Sequence, residues 1–377
     1  MRRGRLFVEW LLIGLGASLV VLLSVGSSLV ERADRLLYDM VAPFHAAPAD
    51  DRLLIVAIDD DTLAATGRWP LSRDIHAQAL SRMKAARPAA ILYDILFIEP
   101  SAQDRRLADA MAGQPPVYLP MLFDIPGLDG APWLIHRPIS PIAEAAGGIG
   151  TANLSLDRDG RARSIAIATA EDGADGADSA NAAPILPHLA ELSYRRLVGH
   201  SSPAFERTRA TGEALHIPFL PPGSFRTISL LPVLRGEVPA DFLRGKILLV
   251  GATAEGLGDI HPVSTAHAGR LPGVEVQANL LSSLLADRFV TLLPGWLIAL
   301  LSLLPLLGVA ADFLAPLPFQ EPAPVHRHDG RAGDRISGRA GPWRLVVPAR
   351  GGADRHHPRL SALGLAAARC GHAIHGG

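Results

Sequence analysis

The sequence predicts an α/β fold, with a mixed, largely parallel sheet flanked by helices in an extracytoplasmic domain that is bounded by transmembrane helices. Three observations predict it. Unalternated runs rich in Ile, Leu and Val recur at residues 53–58, 89–93, 117–119 and 247–250, as strands buried on both faces of a sheet require. Between the first two runs, Ile75, Ala79, Leu80 and Met83 recur along one helical face. Two stretches without charge, residues 10–30 and 292–311, flank the region, and each reaches the roughly 20 residues that a helix needs to cross a bilayer core.

Arg2, Arg3 and Arg5 precede the first stretch, and the positive-inside rule assigns residues 1–9 to the cytoplasm. The run exceeds the roughly 7–15 apolar residues of a cleaved signal peptide, so it reads as an anchor. In the second stretch, Trp296 suits a headgroup interface and Pro305 is tolerated in a lipid-embedded helix. Two crossings place residues 31–291 outside the cytoplasmic membrane and return residues 312–377 to the cytoplasm.

Composition agrees with membrane segments. The 377 residues are 49% hydrophobic with a net charge of −1, and mean hydropathy is +0.23. That charge supplies no field to draw nucleic acid. The single cysteine, Cys370, excludes an intramolecular disulfide and a multi-thiolate metal site, so the domain must hold by its core.

The first strand, 53–58, ends in Asp59, Asp60 and Asp61, followed by a turn at residues 67–70. A helix over 75–86 stops before Pro88. With the strand at 89–93 this makes a unit the size of a right-handed parallel crossover. A second helix fits residues 104–112, with Leu107, Ala108 and Met111 on one face. Alternation around the Asp157–Gly160 turn predicts a hairpin within residues 147–170. Residues 171–184 are acidic and small, and read as a surface loop. The strand at 247–250 delivers a loop with Gly251, Gly256 and Gly258, and residues 272–290 read as a helix leading into the second apolar stretch.

Carboxylates gather where strands end, which is where ligands sit in open α/β sheets. The candidate ligand-binding residues are Asp59, Asp60, Arg73, Asp94, Glu99 and Asp259. Adjacency of the first two strands would bring Asp59 or Asp60 near Asp94, where two acids could bind a hard cation or act as an acid/base pair. The competing structural reading, which we favour, has the acids capping helices and pairing with Arg68, Arg73 or Arg105. The glycine loop could cradle an anion, but no Lys-Ser or Lys-Thr follows it and G-x-G-x-x-G spacing is missing. We read it as a tight turn that brings Asp259 to the first strand. Asp157-x-Asp159-Gly160 lacks the rest of a calcium loop. His261 and His267 stand alone without metal-ligand spacing, and no serine occupies a G-x-S-x-G elbow. No catalytic residue, resident metal or cofactor is expected.

Five stretches taken together resemble the type-two CHASE domain, a sensory module of bacterial cyclases and histidine kinases. They are VAIDDDTLAATGRWPLSRDIHAQAL, ILYDILFIEP with Asp104, GTANLSLDRDGRAR, LRGKILLVGATAEGLGD and PGVEVQANLLSSLL. Two positions depart from that pattern, with Leu71 where an aromatic is usual and Gln277 where histidine is frequent. The resemblance implies a membrane-bound receptor or receptor fragment. It would sense an unknown small-molecule or envelope signal, couple through a homodimer, and have relatives that carry a cytoplasmic kinase or cyclase. Two other functions stand beside it: an extracytoplasmic metal-dependent hydrolase using Asp59, Asp60, Asp94 and Asp259, and a non-signalling membrane scaffold. Residues 312–377 match no such output. Rich in Arg, Gly, Pro, His and Ala, they read as a disordered basic tail or, preferably, as the product of a frameshift near residues 314–319 in a GC-rich gene.

Overall fold

The computed structural model describes residues 12–20, 23, 28–124, 134–170, 185–257, 259–265, 269–293, 296–298 and 300–304. The chain divides into two units, Met1–Pro316 and Leu317–Gly377, and every described residue belongs to the first. The loop expected at 171–184 and the tail at 312–377 lie outside the described residues.

A helix, α1 (Ser28–Val41), precedes the first strand, β1 (Leu53–Ile58). Next come α2 (Asp60–Thr66), α3 (Arg73–Ala85), β2 (Ala90–Asp94), α4 (Asp104–Met111), β3 (Val117–Asp124), β4 (Leu134–His136), α5 (Ile142–Ala145) and β5 (Gly148–Thr151). Four short strands follow: β6 (Ser155–Leu156), β7 (Ala162–Ile165), β8 (Ala168–Ala170) and β9 (Ile185–Pro187). Then come α6 (Leu189–Val198), α7 (Pro203–Thr211), β10 (Leu215–His216), β11 (Thr227–Ser229), α8 (Leu230–Arg235) and α9 (Ala240–Leu243). The last elements are β12 (Ile247–Ala252), β13 (Ile260–Pro262), β14 (Arg270–Pro272) and α10 (Gly273–Ala286).

The main sheet has seven strands in the order β11-β1-β12-β2-β3-β4, with β5 also paired to β3. All of its pairings are parallel except β3 with β4. The parallel strand, helix, strand unit is therefore present, but β12 lies between β1 and β2, so the two strands are not adjacent as the sequence had suggested.

The unalternated strands are greasy because both faces are covered. Leu53, Ile55, Leu92, Ile247 and Leu249 point to one core, which α6, α7 and α10 cover. Leu54, Val56, Ile58, Tyr93 and Leu248 point to the other, beneath α3, α4, α8 and α9. Fully burying each Leu or Ile contributes about 1.5–3 kcal/mol. Gly251 allows one contact in this arrangement, since a Cβ there would lie 2.5 Å from the Cβ of Val274 on α10. It sits within β12 and lets the helix press onto the sheet, so it is not part of an anion cradle. Gly256 takes a positive φ of 84° in the turn that follows, and Gly258 lies outside the described residues.

Among the described residues no helix is long and apolar enough to cross a membrane. The stretch at 10–30 is not described at 10, 11, 21, 22 and 24–27, and the one at 292–311 is not described at 294, 295, 299 and 305–311.

Candidate functional site

A cleft of about 560 Å³ opens beyond the carboxyl ends of the central strands. This is where an open α/β sheet places ligands. Asp94 and Ala252, the last residues of β2 and β12, line it, as do Asn153 beyond β5, Trp69, Arg73 and His76 around α3, and Gly273 and Gln277 on the first turn of α10.

Local structure fixes each side chain. Asp94 ends β2 half-buried, and burial followed by the charge of Asp259 pushes its carboxyl up to about 7 against an opposing pull from His261. Asp259 Oδ1 accepts a hydrogen bond from His261 Nε2 at 3.0 Å. Its backbone carbonyl accepts from the Gly273 N–H. A Cβ on Gly273 would come within 2.5 Å of both Asp259 carboxylate oxygens. The glycine therefore admits the carboxylate to the amino end of α10, where the helix dipole favours negative charge. The glycine-rich turn thus delivers Asp259 to α10 and to the end of β2, not to β1, and His261 is not isolated.

Arg73 also lines the cleft, but its charge is engaged. Nε donates to Asp104 Oδ1 at 3.0 Å, Nη2 donates to the Glu99 carbonyl at 2.9 Å, and the guanidinium lies 4.6 Å from the Phe97 ring centroid. Glu99 stands exposed on the rim. Beneath Arg73, His76 is 1% exposed and its Nδ1 lies 2.7 Å from the Tyr93 hydroxyl. Burial, then Arg73, lowers its pKa to about 4, so it is neutral at pH 7.

Asp59 and Asp60 are not in the lining. Asp59 Oδ1 accepts from the Thr62 N–H (3.0 Å), the Thr62 hydroxyl (2.6 Å) and the Ser229 hydroxyl (2.9 Å). It caps α2 and ties the end of β1 to that of β11. Asp60 is exposed in the first turn of α2. Of the six candidates, the cleft gathers Arg73, Asp94, Glu99 and Asp259, while β12 holds the other two away. Among the described residues, no three His, Cys, Asp or Glu side chains converge as a metal-ligand group.

Sequence reasoning missed two features. Gln277 is 4% exposed, lines the cleft, and its Oε1 has no hydrogen-bond partner. The signal that could have found it is its place, one turn into a helix that starts at a strand-end cleft. The second feature is an arginine cage around the predicted hairpin, which is present as β6 and β7. Arg163 on β7 is 3% exposed. It donates to Asp157 (2.6 Å), to both oxygens of Asp159 (2.9 and 2.8 Å) and to both oxygens of Asp39 on α1 (2.8 and 2.9 Å). The acids of the D-x-D-G turn thus clamp an arginine. That hydrogen-bonded guanidinium, first among the causes, lowers the Asp159 pKa to about 2. Ser264 Oγ also donates to Asp39 at 2.5 Å, and Tyr38 donates to the Ile217 carbonyl at 3.1 Å, so α1 is bonded to the domain at several points.

No match was found among curated proteins or among solved structures. The family model described as the CHASE2 domain matches residues 15–311, and the chain belongs to this family of sensory domains.

Proposed function

We propose that the chain is a membrane-bound bacterial signal-transduction receptor, or the sensory portion of one. Its external domain, residues 31–291, responds to a small molecule or envelope signal. Residues 10–30 and 292–311 anchor it in the cytoplasmic membrane and carry the response inward. One observation carries this reading: Gly273, Val276 and Gln277 on the first turn of α10 form a wall of the cleft, and the same helix ends at Ala286, close before the second apolar stretch. A ligand held differently by two settings of that helix shifts their populations.

Further support comes from the other end. The arginine cage fastens α1, which begins at the end of the first apolar stretch, to the hairpin. Leu12, Ile13, Leu15, Leu300, Leu301 and Leu304 leave large apolar side chains exposed, as suits contact with lipid. Leu36, Leu37, Met40 and Val41 are also exposed, at spacing that suits a second copy of α1 in a homodimer. CHASE2 domains are extracytoplasmic sensor modules, in keeping with this placement. The hydrolase reading has less support, because Asp59 and Asp60 stand apart from Asp94.

Reporter insertion beside Pro132 tests the topology. Alkaline phosphatase, which matures only outside the cytoplasm, is expected to be active there in intact cells. Activity instead from a reporter that works solely in the cytosol would overturn the proposal.

A further inference from the structure

We propose that the cleft binds an organic amine, a ligand with one protonated nitrogen and an apolar body, which sets its cation between Asp94 and Asp259 and donates a hydrogen bond to Gln277 Oε1. This deepens the receptor reading above and rests on it in taking the cleft as the ligand site.

The orphaned amide oxygen is the first argument. Gln277 is 4% exposed and its Oε1 has no partner. A buried acceptor without a donor costs about 1–3 kcal/mol, and Gln277 lines the cleft, so a ligand donor that reaches Oε1 as the side chain turns to the cleft would remove that cost. Charge is the second argument. The lining holds three carboxylates, Asp94, Glu99 and Asp259, against Arg73, which does not offset them, and His261, which is turned to Asp259 at 3.0 Å. The Arg73 side chain is only 12% exposed and pairs with Asp104. An anion would meet carboxylates, and a cation would meet acceptors. The third argument is the set of apolar walls: Trp69, Ile98, Leu122, Leu154, Leu156 and Val276 surround the polar floor. Ile98 and Leu156 are 39% and 54% exposed at the rim, so an apolar body would cover surface now facing water. A small hard metal ion fits less well, because such ions take six or more oxygen ligands and no group of three ligating side chains converges among the described residues.

Titration is coupled to this chemistry. The groups facing the nitrogen are Asp94 from β2, Asp259 and His261 from the segment around β13, Glu99 beyond β2, and Arg73 and His76 from α3. Asp94 holds its proton to about pH 7, and an incoming cation would release it.

The test is calorimetric titration of the full-length chain in detergent with phenethylamine, its neutral analogue 2-phenylethanol, the anion 3-phenylpropionate, and magnesium chloride. Phenethylamine is expected to bind at least tenfold more tightly than the others. At pH 6, paired buffers of different ionisation enthalpy should show proton release. Asp259→Asn and, separately, Gln277→Leu should each weaken phenethylamine at least fivefold, while Gln277→Glu should retain it. The Gln277 pair keeps the test decisive if Asp259→Asn does not fold. Preferred binding of 3-phenylpropionate, 2-phenylethanol or magnesium, or no binding by any probe, overturns the amine inference. If phenethylamine binds but a signalling chimera built from the chain does not respond, the inference stands and the receptor reading fails.

Discussion

Replacing Asp94 by Asn should stabilise the unoccupied protein at neutral and alkaline pH. The side chain ends β2 beside Asp259, and its pKa stands at about 7 against an ordinary value of 3.8. The folded state therefore binds the proton more tightly than the unfolded chain does. Below about pH 4 both states are protonated and the carboxyl imposes no penalty. As pH rises through the window to about 7, the unfolded chain ionises freely while the folded chain resists, and stability falls. The gap is worth about 4 kcal/mol at about 1.4 kcal/mol per pH unit. Relaxation and water entry at the cleft mouth reduce this, so we expect about 2–4 kcal/mol. At pH 8 that corresponds to a rise of about 5–12 °C in Tm for a domain of this size. Thermal melts of dialysed wild-type and Asp94→Asn protein, followed by tryptophan fluorescence from pH 4 to 8.5, provide the assay. The two curves should meet near pH 4 and separate up to about pH 7.5. Parallel curves, or an Asn variant less stable at pH 8, would refute the reasoning, because the carboxylate would then already have a counter-charge inside the protein.

Two further substitutions probe the acids whose role is structural. Asp59→Ala removes the α2 cap and its bonds to Thr62 and Ser229. It should cost about 1–3 kcal/mol in chemical denaturation and leave ligand titrations unchanged. Arg163→Met leaves Asp39, Asp157 and Asp159 facing one another without the guanidinium that joins them, with Arg161 still 3.6 Å from Asp39. A loss of about 3–5 kcal/mol at pH 7 is expected, with partial recovery near pH 4 as carboxylates protonate. A pH-independent deficit would show that packing, not charge, is what the arginine supplies.

How much of this was legible in the sequence follows from which interactions are local. The runs at 53–58 and 247–250, the helix at Arg73–Ala85 and the hairpin around Gly160 carry their own periodicity and turn residues, and each is present within a few residues of its predicted place. The sequence predicts that α10 runs on to 290. It stops at Ala286 because Asp287 takes a left-handed conformation with φ 48° and its N–H turns back to the last turn. Strand order was not legible. β12 inserts between β1 and β2 from far along the chain, and its hydrophobic run specifies burial but not neighbours. That single insertion sets Asp59 and Asp60 apart from the cleft lining and leaves Asp94 beside Asp259. Gln277 stood out in the sequence only as a departure from the family pattern, and its place in the cleft depends on the fold that sets the start of α10 against the ends of β2 and β12. The Asp39–Arg163 pair joins residues 124 positions apart, and no local pattern announces it.

The features that cost the domain stability are the ones a receptor can use. Ionisation of Asp94 above about pH 7 and an acceptor without a donor at Gln277 both cost the fold stability, and both residues line the cleft beside the start of α10. A ligand that supplies a cation and a donor removes those penalties only in the arrangement that holds the groups together, which is the differential affinity that a conformational response requires. Recovering about 3 kcal/mol in this way changes a two-state ratio by roughly 150-fold. A cleft with every polar group already satisfied could bind as tightly and still signal nothing, because equal affinity for both settings of α10 shifts neither. On this argument, Asp94→Asn combined with Gln277→Leu should yield a more stable domain whose α10 no longer responds to phenethylamine. Retained ligand-dependent change at α10 in that double variant, read by a spin label at Asp287, would place the source of coupling elsewhere in the fold.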